Sequence, residues 1–71
     1  MTMPDERTRA LRWAGEFLFK VQIGEEFSEA IKREAKAILR HYPREHEIKN
    51  QARFDAARAK HLGEQWLGPE G

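Results

Sequence analysis

The chain has no cysteine, which excludes disulfides and thiolate metal sites. No apolar run approaches the roughly 18 residues of a membrane span. Residues 1–12 lack the basic-then-apolar order of a signal peptide, and the expected location is the cytoplasm. There is little excess of either charge: 13 Lys and Arg against 12 Asp and Glu give a formal net charge of +1. That is a solubilising surface with both signs interspersed, not the strongly basic footprint of a typical nucleic-acid binder. Catalytic signatures are lacking too. Ser28 is the only serine and reads as a helix cap, and no nucleophile elbow, phosphate loop or Cys/His pair occurs. His41 and His46 straddle Pro43, and no His-x-x-x-His or Glu-x-x-His occurs on one helix. No enzyme activity, cofactor, metal or small-molecule substrate is expected.

What is present is helical patterning. Phe27, Ala30, Ile31, Ala35, Ile38, Leu39 and Tyr42 recur at helical spacing, and the pattern stops at Pro43. Before them, Ala10, Leu11, Ala14, Phe17, Leu18 and Val21 form a similar stripe, with Trp13 four residues before Phe17. Thr2 is the expected cap of this first helix, with Asp5 completing an acidic capping box and Pro4 tolerated in the first turn. Gly15 weakens the helix and points to close packing against another helix. Gly24 ends it as a left-handed cap, and Ser28 caps the second. A third segment, from about Glu45 to Leu62, carries a narrow stripe of Ile48, Ala52, Ala56, Ala59 and Leu62, with Gly63 as its C-cap. Pro43 either turns the chain or opens this third helix.

The fold class is therefore all-α: an antiparallel helical hairpin plus a third helix, a single domain over residues 1–67 with a flexible tail at 68–71. Phe17, Leu18, Ile31, Ala35, Ile38 and Leu39 are the expected core, where the stripes of the hairpin face each other. With 71 residues, the chain buries only about 60% of the surface its unfolded form exposes. Scaffolds of this size usually need a disulfide, a metal or a second chain.

Two stretches carry a resemblance. One is Pro4-Asp5-Glu6-Arg7-Thr8-Arg9-Ala10, followed by Trp13 and Glu16-Phe17-Leu18. The other is Ala35, then Ile38-Leu39-Arg40-His41-Tyr42-Pro43. Over residues 4–43 the chain resembles a family of very short, mainly proteobacterial proteins with a Leu-Arg-His-Tyr-Pro signature. The resemblance implies a small helical fold and a bacterial or phage origin, and it implies no activity.

The candidate partner-binding residues are Arg40, His41, Arg44, Trp66 and Leu67. Arg40 and His41 suit either a recognition corner or the negative end of the second helix dipole, and Tyr42 suits packing on the first helix. Trp66, beyond the Gly63 cap, either folds back or anchors a partner. The expected function is a small non-enzymatic protein-interaction module, an adaptor or inhibitor of a larger bacterial or phage-related machine. It is expected to bind a protein partner or form a homodimer, with residues 48–67 contributing the contact. The alternative is a small DNA-binding, transcription-linked protein. It would use the basic face of the second and third helices, posed around Pro43 as a helix-turn-helix.

Overall fold

A computed structural model describes residues 2–71, apart from the side chain of Leu62, so that part of the third stripe lies outside the described residues. Three helices follow in order: α1 (Pro4–Ile23), α2 (Glu29–Leu39) and α3 (Glu45–Leu62). The all-α class stands, with α1 packing against both α2 and α3. Among the described residues, α2 and α3 do not pack on each other. The helix pair around Pro43 thus lacks the packed geometry of a helix-turn-helix, contrary to the pose expected for it.

Local chemistry explains the boundaries. α1 begins one residue later than a Thr2 cap would place it. Met3 is the N-cap, and the Glu6 carboxylate accepts its amide at 2.7 Å. The reason is Pro4, which takes the first helical position and needs no amide partner there. Gly24 ends α1 in an extended conformation (φ −74°, ψ 137°), not the expected left-handed one. Ser28 caps α2 as its residue type suggests, its hydroxyl accepting the Ile31 amide at 3.2 Å. α2 stops at Leu39, and Pro43 turns the chain without opening a helix. Arg44 caps α3, and Glu47 accepts its amide at 2.8 Å. Gly63 closes α3 with φ 77°, left-handed geometry that L side chains rarely adopt. No helix in the described residues is long and apolar enough to cross a membrane.

The core is small. Val21, Ala35, Ile48, Ala52 and Leu67 are its buried apolar residues, joined by Thr8 and Asp55. The inward line of α1 runs through Pro4, Thr8, Leu11, Gly15, Leu18 and Gln22, all buried or half-buried. That line is rotated from the expected stripe. Leu11, Leu18 and Val21 point in, while Ala10, Ala14 and Phe17 are exposed. The core expectation fails in the same sense for Phe17 (62% exposed), Ile38 (51%) and Ile31 (47%). Ala35 is buried as expected, and Leu18 and Leu39 are only half-buried.

The rotation has an identifiable cause: the elements packed on α1 need small residues beneath them. The Tyr42 ring crosses α1 at Gly15, where an added Cβ would stand 2.9 Å from Cε2 and 3.2 Å from Cδ2. The Tyr42 hydroxyl donates to the Leu11 carbonyl. The C-terminal segment crosses at Thr8. The Thr8 hydroxyl donates to the Gly68 carbonyl at 2.7 Å, and the Gly68 amide is shared between the Pro4 carbonyl and the Thr8 oxygen at 3.1 Å each. Residues 68–70 of the expected flexible tail are thereby laid along α1.

Candidate interaction surface

The molecule is elongated, at 47 × 22 × 17 Å, with a radius of gyration of 14.8 Å. A compact domain of this length has a radius of about 11 Å. Its accessible surface is 5725 Å², whereas a folded monomer of 8.3 kDa ordinarily exposes about 4,600 Å². The excess is not all polar. Met3, Trp13, Phe17, Phe19, Ile23, Ile31, Ile38, Phe54 and Trp66 are each at least 47% exposed.

Several of these side chains share one face. Arg12, Gly15, Glu16, Phe19 and Lys20 of α1 line a groove of about 460 Å³ with Leu39, Tyr42, Pro43 and Ile48. On α2, Lys32 and Lys36 turn toward this side, where they form a charged cleft with Gln22, Glu29 and Arg33. Helical geometry then places the opposite flanks of both helices together on the other side of the hairpin. α1 contributes Ala10, Trp13, Ala14 and Phe17 there, and α2 contributes Ile31 and Ile38. Tyr42 over Gly15 fixes the antiparallel register, which brings Ile38 to within a turn of the level of Phe17. α3 covers the groove side. No element covers the other side among the described residues. α2 and α3 thus pack on α1 without touching each other, and the flank carrying Trp13, Phe17, Ile31 and Ile38 is exposed.

The residues expected to contact a partner fall in different places. Arg40, His41 and Arg44 are exposed at the corner between α2 and α3. Tyr42 between them faces inward, and burial raises its hydroxyl pKa above the ordinary tyrosine value. Trp66 is 63% exposed, and its ring is bracketed by Arg7. The Arg7 guanidinium lies 5.8 Å from the ring centroid, and its Nε donates to the Trp66 carbonyl at 2.7 Å. Leu67 is buried in the chain's own core, 5% exposed, and its amide donates to Asp55 Oδ2 at 3.1 Å. A buried amide needs an acceptor, and Asp55, also bonded by Gln51 Nε2 at 2.9 Å, supplies it.

The C-terminal segment is fastened once more by charge. Arg12 Nε and Nη2 donate to the two Glu70 carboxylate oxygens at 2.9 Å each, a bidentate pair, while Nη1 reaches Glu16 at 3.1 Å. The hydrogen bonds from Arg12, and its charge, hold the Glu70 carboxyl below its usual range. Thr8, Asp55, Gly68 and Glu70 went unnoticed in the sequence because lone polar residues carry no periodic signal. The one available hint was a run of small inward positions on the first helix, Thr8 and Gly15.

Among the described residues, no three His, Asp or Glu side chains cluster in metal-binding geometry. Comparison with protein-family models, with characterised proteins and with solved structures finds no match.

Proposed function

We propose that this chain is a small protein-interaction module that works by laying the apolar face of its hairpin against another polypeptide. The observation that carries the reading is the exposure of Trp13, Phe17, Ile31 and Ile38 along one flank of the hairpin. Monomeric proteins seldom leave contiguous apolar patches of several hundred Å² in water, and larger ones mark contact sites. The aromatic anchors are of the kind that dominate binding energy at interfaces. The excess of roughly 1,100 Å² over a compact monomer is of the size that a standard interface removes from each partner, about 800 Å². Its small size suits an adaptor or an inhibitor docked on a larger assembly.

The test is position-specific photo-crosslinking in cells that make the chain. A photoreactive side chain replaces Phe17 in one sample and Asn50, exposed on α3, in another. Adducts to a polypeptide from position 17 and none from position 50 support the reading. Absence of adducts at 17, with the chain folded and present, overturns it.

A further inference from the structure

We infer that the polypeptide covering this face is a second copy of the chain, two hairpins stacking into a two-fold symmetric four-helix layer. The inference rests on the proposed interaction surface and names its occupant.

Three observations favour a second copy. The first is area. The surplus exposure of roughly 1,100 Å² over a compact monomer, taken over the whole 71-residue chain, is as large as the ~800 Å² per side that a stable dimer removes. The second is geometry. The face is built from two antiparallel helices whose apolar positions recur at three- and four-residue steps, Ala10-Trp13-Ala14-Phe17 and Ile31-Ile38. Two such hairpins, related by a two-fold axis parallel to the helices, place α1 of one protomer over α2 of its partner. Every neighbour is then antiparallel, as in up-down bundles. Trp13, Phe17, Ile31 and Ile38 fill the layer. The third is charge. The outer rim of α1 carries Lys20, and that of α2 carries Glu34, both exposed. Stacking α1 on α2 of the partner brings opposite signs to the same edge, and with a formal charge of +1 per chain two copies repel little.

The arrangement departs from the expectation that residues 48–67 make the dimer. Leu67, Ile48 and Ala52 are consumed by the protomer's own core, and Trp66 is held by Arg7 of its own chain.

Sedimentation equilibrium on the full chain, from low to high micromolar, reads the mass directly. The inference expects about twice 8.3 kDa for the wild type and for Trp66→Ala, and a single-chain mass for Phe17→Glu. Because Phe17→Glu can cost helix as well as association, isotope-filtered NMR on mixed labelled and unlabelled wild type supplies a second readout. It expects interchain contacts at Phe17, Ile31 and Ile38. A wild type that stays at single-chain mass throughout overturns the inference, as do interchain contacts confined to Phe54 and Trp66. A single-chain mass together with crosslinks from position 17 to a different protein removes the dimer and leaves the interaction reading standing. Loss of both removes both.

Discussion

Replacing Gly15 by Ala sets two opposed effects against each other, and the structure decides between them. A mid-helix glycine costs about 1 kcal/mol relative to alanine, so in an isolated helix the change stabilises. Here the added methyl would stand 2.9 Å from Tyr42 Cε2 and 3.2 Å from Cδ2, closer than carbon atoms pack. The ring must move, and its hydroxyl is tied to the Leu11 carbonyl. Overpacking of this kind costs about 1–3 kcal/mol, and a weakened hydrogen bond adds about 0.5–1.5 kcal/mol. The net expectation is a loss of about 1–2 kcal/mol. In a Tyr42→Ala background the obstruction is gone, and the same substitution should stabilise by up to about 1 kcal/mol. The coupling between the two sites is therefore about 2–3 kcal/mol, within the range for residues in direct contact. Urea unfolding followed by circular dichroism at 222 nm on the four proteins of the cycle measures it. Equal stabilisation by Gly15→Ala in both backgrounds would refute the claim that Tyr42 packs into the gap above Gly15.

Tyr42 is the only tyrosine, so the absorbance change at 295 nm belongs to it alone. Burial disfavours the phenolate, and the folded chain should titrate above the ordinary value of about 10, falling back to it in 8 M urea. The corresponding stability is present at lower pH and is lost as pH rises through the folded-state value. Ile48→Ala, at a 3%-exposed site, should cost about 2–5 kcal/mol. Ile38→Ala, at a 51%-exposed site, should cost under about 1 kcal/mol in dilute solution where chains are single. Urea midpoints at concentrations where sedimentation gives the single-chain mass compare the two. Glu70, held below its usual range by Arg12, favours docking of the C-terminal segment above the ordinary carboxylate pKa. That contribution is lost as pH falls through the depressed value. Hydrogen exchange of the Gly68 amide should accelerate beyond the intrinsic pH trend over that interval, and Glu70→Gln should abolish the pH dependence.

The helices were legible because their signals are local. Ser28 before Glu29, Pro43 after Tyr42 and Gly63 after Leu62 mark boundaries by backbone chemistry that acts within a few residues. Tyr42 packing on the first helix, and Gly15 as a point of close approach, were also readable. The facing of the first helix was not. Phe17 belongs to an apolar stripe by periodicity, but periodicity does not say which of two adjacent apolar wedges meets the partner helix. Here the inner wedge is the one with Thr8 and Gly15, because a tyrosine ring and a returning chain segment occupy the space above them. Ile31 and Ile38 mislead in the same way: they flank Ala35 and read as core, yet a hairpin of two helices covers only the middle of so broad a stripe. Leu67 and the docked segment at 68–71 depend on pairings about sixty residues apart in sequence (Thr8 with Gly68, Arg12 with Glu70), which no local pattern records.

The apolar face of the hairpin should make folding and association one equilibrium. The most direct measurement is the urea midpoint of the wild type at protein concentrations spanning three decades, from 0.1 to 100 μM. Mass action expects the midpoint to rise with concentration, by up to about 1.4 kcal/mol per mole of dimer for each tenfold increase. The rise should vanish in Phe17→Glu and persist in Trp66→Ala. A wild-type midpoint independent of concentration across the whole range would contradict the claim that a second copy covers Trp13, Phe17, Ile31 and Ile38.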